Sequence, residues 1–391
     1  MPRSERPQLG VAAVGYAFMG AAHAHAWRTA AHVFDLPLAP AMVALCGRDP
    51  AAVQAAADRQ GWASAETDWR ALLARDDIQL IDICTPGDSH AEIAIAALQA
   101  GKHVLCEKPL ANTVAEAAEM AAAAIEAAGR GVRSMVGFNY RRVPAIALAR
   151  SMVAAGRLGE IRHVRASYLQ DWLTDPSFPL TWRLQAERAG SGALGDLGAH
   201  IIDLAQYLTG EAITAVSGTT TTFVRQRPLP DGAGRGQAGE VTVDDAAAFS
   251  ARIGGGTALG SFEVTRFAAG RKNALRVELY GERGSLAFDL ERLNELEFHD
   301  HTADPLTAGF RRILVTEPGH PYLSAWWPPG HVLGWDATFS HEVADLVTAI
   351  AAGTDPLPSF ADGLQVQRVL TAVQQSAASD GTWITVPPPG T

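Results

Sequence analysis

Gly101-Lys102-His103-Val104-Leu105-Cys106-Glu107-Lys108-Pro109-Leu110 is a short apolar run that stops abruptly on a lysine. Pro109 has no N–H to donate and fixes its own φ, so a strand here ends and projects Lys108 from its carboxyl end. In an open parallel sheet, the carboxyl ends of the strands are where ligands bind. A lone lysine at a turn is ordinarily a solvated surface group. The chain on either side of Lys108 points to more than that.

Upstream, residues 8–14 read as a strand, followed by Gly15-Tyr16-Ala17-Phe18-Met19-Gly20 and a helix through about residue 32. Gly15 permits a tight turn and Gly20 permits close packing of helix on strand, which aims the first helical N–H groups at a pyrophosphate. Ala17 stands where the middle glycine of G-x-G-x-x-G belongs, so the motif draws its weight from context. That context is repetition. Residues 41–46, 80–85, 103–106 and 132–138 are short apolar runs without alternation, and helical stretches at about 49–60, 89–100 and 113–128 separate them. Such runs are strands of a parallel sheet buried on both faces. Right-handed crossovers make it a doubly wound α/β sheet of the Rossmann type. The residues expected on a dinucleotide are Gly15, Ala17, Phe18, Met19 and Gly20 at the turn, Arg48, Thr85, Pro86 and His90 beyond later strands, and Glu107 with Lys108. At Cys46-Gly47-Arg48-Asp49 a small residue and an arginine leave room for a 2′-phosphate, which leans the choice from NAD toward NADP unless Asp49 turns inward.

At 391 residues the chain reads as two domains: 1–140 for the dinucleotide, and 141–391 for substrate and oligomerisation, with the C-terminal helices able to pack back on the first. Its 48% hydrophobic and 19% charged residues are those of a globular protein, and no apolar run is long enough to span a bilayer. The polar start Met1-Pro2-Arg3-Ser4-Glu5-Arg6-Pro7 lacks the apolar core of a signal peptide, so the expected location is the cytoplasm. A net charge of −10 opposes a general nucleic-acid role. Cys46, Cys84 and Cys106 share no C-x-x-C spacing and each closes an apolar run, so buried free thiols are expected, with no metal site and no disulfide.

After Phe138-Asn139-Tyr140-Arg141-Arg142 the pattern changes. A helix at about 144–156 leads into strand-like runs at 161–169, 212–224, 241–253, 257–265, 274–280, 284–289 and 295–298. Alternation such as Arg276-Val277-Glu278-Leu279 marks a sheet with one wet face, so the second domain is α+β on a large, mostly antiparallel open sheet. Residues 225–240, rich in Gly, Pro and Arg, read as a mobile loop. Helices at about 338–351 and 363–378 precede a proline-rich tail.

The chemically informative stretch is Gly190-Ser191-Gly192-Ala193-Leu194-Gly195-Asp196-Leu197-Gly198-Ala199-His200. Read as a helix from Asp196, it places Leu197, Ile201, Leu204 and Leu208 on one stripe and Asp196, His200, Asp203 and Tyr207 on another. On a surface helix, Asp196 and His200 would be an ordinary ion pair. The glycine-rich entry, and a nucleotide fold with a lysine but no acid/base partner, favour chemistry. Oxidising a secondary alcohol needs a base near neutral pH and a cation for the alkoxide character that develops. His200 suits the first role and Lys108 the second, while Asp196 would orient the histidine or bind a neighbouring hydroxyl. Asn139, Asp171, Trp172 and Arg183, with Trp182, Trp326 and Trp327, offer hydrogen bonds and flat faces suited to a sugar ring, although tryptophan is more often core.

The glycine turn, the Glu107-Lys108-Pro109 strand end and the Asp196/His200 helix together resemble the Gfo/Idh/MocA family of dehydrogenases, over essentially the whole chain. The resemblance implies Lys108, Asp196 and His200 as the catalytic set, and oxidation of a ring hydroxyl of a sugar, anhydrosugar or cyclitol. It also implies a homodimer or homotetramer paired through the second domain's sheet. Residues 138–142, 168–172, 189–196 and 358–363 look like members that oxidise a sugar at C3 to a 3-keto sugar. Two other classes of the family stay open: glycosidases that oxidise and re-reduce the sugar around a bond cleavage, and non-catalytic dinucleotide sensors. Sensors tend to lose the lysine or the histidine, and both are kept here.

Overall fold

A computed structural model describes residues 6–230 and 236–389; Met1 to Glu5 of the polar start lie outside them. The chain begins with β1 (Gln8–Val14), α1 (Phe18–Val33), β2 (Ala39–Cys46), α2 (Pro50–Gln60), β3 (Ser64–Glu66), α3 (Trp69–Leu73), β4 (Leu80–Ile83), α4 (His90–Gln99), β5 (His103–Glu107), α5 (Val114–Ala128) and β6 (Ser134–Gly137). The strands pair in parallel in the order β3-β2-β1-β4-β5-β6, so the winding direction reverses beside β1. That reversal is the switch point of a doubly wound sheet. The apolar runs form the central strands as expected, and β5 stops one residue before Lys108. The short β3, Ser64-Ala65-Glu66, has no apolar run to announce it.

Local chemistry fixes the helix starts. Asp49 caps α2 by accepting the Ala52 N–H at 2.9 Å, and Thr113 and Glu116 cap α5 reciprocally. Val11, Ala13, Trp27, Leu45, Leu80 and Leu105 are buried together in the core.

The second stretch runs α6 (Pro144–Ala154), β7 (Ile161–Leu169), α7 (Ala186–Ala189), α8 (Ala199–Thr209), β8 (Ile213–Thr221), β9 (Gln226–Pro228), β10 (Ala238–Glu240), β11 (Ala246–Ile253), β12 (Ala258–Thr265), β13 (Ala274–Gly281), β14 (Gly284–Asp289), β15 (Glu295–Asp300) and β16 (Arg311–Leu314). The chain ends with α9 (Ala337–Ala352), α10 (Phe360–Ala378) and β17 (Ile384–Thr385). Nine strands form one sheet in the order β16-β15-β14-β13-β7-β12-β11-β8-β17, antiparallel except where β7 meets β12. Alternation decides its faces: in β11, Ala247, Phe249, Ala251 and Ile253 are buried while Ala248, Ser250 and Arg252 are exposed.

The chain falls into two compact units, residues up to Arg142 with Gly334–Leu364, and Val143–Leu333 with residues from Gln365 onward. The expected mobile loop at 225–240 is instead partly ordered: β9 pairs antiparallel with β10, and the buried Arg227 donates to Leu173 O at 2.7 Å and Asp175 O at 2.8 Å. Its residues 231–235 lie outside the described ones. The expected tail supplies β17, which pairs with β8; two residues are too few to show a period. Among the described residues, no helix is long and apolar enough to cross a membrane.

Two buried groups on α9 tie the first unit's stability to pH. Burial pushes the Glu342 carboxyl up to about 8, and among the described residues neither of its oxygens has a hydrogen-bond partner. Burial pulls His341 down to about 4, its Nδ1 lying 2.8 Å from Arg142 O. Between 4.5 and about 8, the folded chain keeps a proton on Glu342 that the unfolded chain has released, so this group costs stability increasingly as pH rises through that window. His341 has the opposite sign: its contribution is complete above 6.5 and lost as pH falls toward about 4. Glu342→Gln is therefore expected to raise the melting temperature by about 2–5 °C at alkaline pH and to change it little near pH 5. Equal shifts in melts at the two pH values would place this carboxyl in the ordinary range.

Candidate active site

In the first unit, Gly15 turns the chain at φ +106° and donates its N–H to Cys46 O at 2.9 Å. A Cβ on Gly20 would lie 2.0 Å from Gly15 O, so α1 packs on the strand at a distance only glycine allows. Ala17 is the N-cap of α1; no side chain caps the helix and no acid sits in its first turn. The first N–H groups and the positive end of the helix are thus left for an anion. Ala17 is exposed, and its methyl group is the one departure from a glycine-lined cradle. The turn fits a dinucleotide pyrophosphate. Met19 is half-buried against the core, whereas Phe18 is exposed and stacks on Trp335 at 5.6 Å. Arg48 is exposed, and Asp49, spent on capping α2, does not turn inward.

β4 and β5 end side by side, Ile83 opposite Cys106. Thr85 and Pro86 form the turn after β4, where the Thr85 hydroxyl accepts from Ser89 at 2.7 Å. Lys108, half-buried, is the first residue after β5. Three residues expected on ligands have protein partners. His90 is buried, its ring nitrogens 2.8 Å from Thr85 O and 3.1 Å from Pro109 O, so it braces the two strand-end turns. Glu107 is buried, one carboxylate oxygen 3.0 Å from His23 Nε2 and the other accepting the Lys108 N–H at 3.0 Å. Asn139 is buried and donates to Thr338 Oγ1 at 2.9 Å, a link to α9.

In the second unit the glycine-rich entry is clamped by Asp244. Its carboxylate accepts the N–H groups of Gly192 at 2.8 Å and Leu194 at 2.7 Å, and its carbonyl accepts Ala193 N–H at 3.0 Å. A Cβ on Gly192 would lie 1.7 Å from that carbonyl oxygen. Burial pushes the Asp244 carboxyl up, and the bonds to Leu194 and Gly192 oppose it. The clamp leads into a π-helical turn, Leu194–Gly198, before α8. The expected α-helical spacing from Asp196 to His200 is therefore corrected to a wider turn, a distortion frequent at functional sites.

Asp196 accepts from Arg266 Nη2 at 2.9 Å, and the buried Arg266 guanidinium lies 5.1 Å from the Trp172 ring. Arg183, 4.5 Å over Trp182, is lowered by burial, with the Asp196 charge opposing and the Arg266 charge adding. His200 is nearly buried, edge-on to Tyr168 at 5.9 Å. Trp172 and Arg183 thus gather with Asp196 around Arg266. Asp171 does not: its carboxylate is taken by Lys272 Nζ at 2.7 Å and Gly270 N–H at 3.0 Å, which hold it low and tie down the connection from β12 to β13. Trp326 and Trp327 follow a short turn at Leu323–Ala325, and Trp327 is exposed.

Four polar residues escape the sequence reading: His23, Asp82, Asp244 and Arg266. Asp82 had a signal, an acid inside the apolar run Leu80-Ile81-Asp82-Ile83, and so had His23, which shares a stripe of α1 with Gly20 and Trp27. All three cysteines are free, and burial pushes Cys46 and Cys84 up to about 12. His23, Asp82 and Cys84 offer ligand atoms within 4.8 Å of one another, but carboxylates already hold both His23 nitrogens.

Residues 9–138 match the oxidoreductase family model with an NAD-binding Rossmann fold, and residues 146–287 match the Gfo/Idh/MocA C-terminal domain. The chain is 42% identical to levoglucosan dehydrogenase of Pseudarthrobacter phenanthrenivorans over 97% of this chain and 98% of that one. An oxidoreductase domain protein from Kribbella flavida has a solved structure with TM-score 0.95 and 65% identity, covering 98% of this chain and 100% of that one. Levoglucosan dehydrogenase in complex with NADH and levoglucosan has TM-score 0.92 and 41% identity, covering 97% and 100%. With both domain models matched and such a relative spanning nearly the whole chain, this protein belongs to the Gfo/Idh/MocA family and is an NAD-binding oxidoreductase of the sugar and cyclitol dehydrogenase kind.

Proposed function

We propose that the protein oxidises a ring secondary hydroxyl of a sugar, an anhydrosugar such as levoglucosan, or a cyclitol, to the corresponding ketone. The observation that carries this is the 42% identity to levoglucosan dehydrogenase together with Lys108, Asp196 and His200 in the sequence. A bound nicotinamide would supply the acceptor for the hydrogen that leaves the carbon with its electron pair. The pyrophosphate would rest on the turn from Gly15 to Gly20. Lys108 would hold the hydroxyl oxygen and stabilise its developing negative charge. His200 would take the hydroxyl proton. Asp196, held by Arg266, would hold a neighbouring hydroxyl or the imidazole, and Trp172 and Arg183 would offer a face and donors to the ring.

Net accumulation of reduced dinucleotide with one of levoglucosan, glucose or myo-inositol is the expected outcome. Tight dinucleotide binding with no reduction by any sugar would overturn the proposal. Lys108→Ala and His200→Ala should each lower kcat about 100-fold or more with dinucleotide affinity nearly unchanged; normal turnover in either would remove its assigned role.

The relatives' complexes hold NADH, which favours NAD and gives no support to the lean toward NADP. Arg48, exposed beside a capped Asp49, is the feature that would admit NADP as well. Arg48→Glu should cut kcat/KM for NADP about tenfold or more and leave NAD within about threefold. An equal effect on both would place Arg48 away from the ribose. The open face of the second unit's sheet, with Ser250 and Arg252 exposed, supports a homodimer or homotetramer paired through it. Light scattering that reports a monomer at micromolar concentration would exclude this.

A further inference from the structure

A buried ionic bridge in the first unit has no part in the chemistry described so far. His23 projects from the inner face of α1 with 2% of its surface exposed. Its Nδ1 lies 2.9 and 3.1 Å from the two oxygens of Asp82, and its Nε2 lies 3.0 Å from Glu107 Oε1. Trp27 Nε1–H donates to Asp82 Oδ2 at 2.7 Å. The other Glu107 oxygen accepts the backbone N–H of Lys108 at 3.0 Å.

A neutral imidazole has one N–H, yet both nitrogens here face carboxylate oxygens at hydrogen-bond distance. The protonated ring satisfies both. Burial works hardest against that proton, but the charges and hydrogen bonds of Asp82 and Cys84 together outweigh it, so His23 is raised well above its ordinary value. A protonated ring has no lone pair for a metal, which disposes of the nearby Cys84 as a co-ligand. The result is a carboxylate–imidazolium–carboxylate bridge from α1 to β4 and β5. Stability alone does not account for it, because buried ionic triads are commonly matched or exceeded by apolar residues of the same volume. What an apolar trio could not do is orient Glu107. Held on one side by His23, that carboxylate presents its remaining oxygen to a single backbone N–H, the one that carries Lys108.

We infer that His23 is a positioning residue for Lys108, acting through Glu107 to fix the strand end from which the lysine projects. The inference rests on the proposed role of Lys108. Misplacing a catalytic group by about an ångström costs on the order of 100-fold in rate. His23 therefore acts on kcat rather than on binding.

The test uses the full-length protein with the sugar that reduces the dinucleotide, NADH as the binding probe, and melting curves as the check on folding. His23→Leu removes the bridge; Glu107→Ala removes only the link, leaving the His23–Asp82 pair intact, and carries the test if His23→Leu does not fold. Each is expected to lower kcat about 10- to 100-fold, with KM and NADH affinity within about threefold. Combined with Lys108→Ala, each should add little to the loss caused by Lys108→Ala alone, because the residues act as one unit. Glu107→Gln, which keeps an oxygen for the Lys108 N–H, should recover most of the rate lost in Glu107→Ala. Folded variants with normal kcat, or losses that multiply with that of Lys108→Ala, would overturn the inference and leave His23 a packing residue. A slow Lys108→Ala beside a normal His23→Leu sinks this inference alone, whereas normal turnover in Lys108→Ala sinks the reading of the lysine and this inference with it.

Discussion

The carbonyl oxygen of Gly15 and the α-carbon of Gly20 share a space that any side chain would fill. With a Cβ at position 20 only 2.0 Å from that oxygen, α1 can lie where it does on the sheet only because the residue is glycine. The rest of the first unit depends on that separation. The uncapped helix start is delivered to the sheet's switch point. One turn further on, His23 comes down on Asp82 and Glu107, and a turn beyond that Trp27 reaches the same Asp82. A side chain at 20 would lift the helix and disturb the anion cradle and the lysine's support together.

The second unit meets a similar demand with a carboxylate. Asp244 accepts three hydrogen bonds across Gly192 to Leu194, two at its carboxylate and one at its backbone carbonyl, and so sets the entry into the π-helical turn that carries Asp196. Hydrogen bonds to a charged group contribute about 1.5–3 kcal/mol each, and removing the charge from water costs several kcal/mol. The two nearly cancel. Among the described residues, Arg266 Nε and Nη1 are buried with no hydrogen bond while Nη2 holds Asp196. Both groups fix geometry, Asp244 the entry to the turn and Arg266 the place of the Asp196 carboxylate.

The parallel sheet is legible because its strands are buried on both faces and read as unbroken apolar runs, and the open sheet because Arg276 to Leu279 and its neighbours alternate. Lys108, Asp196 and His200 stand out by residue type and setting. What local sequence cannot convey is who spends a polar group. Asn139 finds Thr338, 199 residues along, and Asp171 finds Lys272, 101 residues along, partners that no local pattern announces. The π-turn is equally hidden, because the residue that shapes it lies 52 positions beyond Gly192.

The charges in the first unit's core explain why the bridge takes the form it does. Asp82 and Glu107 bring two negative charges and His23 returns one positive. Glu342 lies within the same field: burial raises its pKa, Arg142 and His23 oppose that, and Glu107 and Asp82 add to it. With its value near 8, Glu342 stays largely protonated at neutral pH, so the core does not take a third ionised carboxylate. The His23 ring meets Asp82 on one side and Glu107 on the other, so a single side chain of α1 reaches both strands. The inner face of α1 is thereby bonded to β4 and to the end of β5, one residue before Lys108.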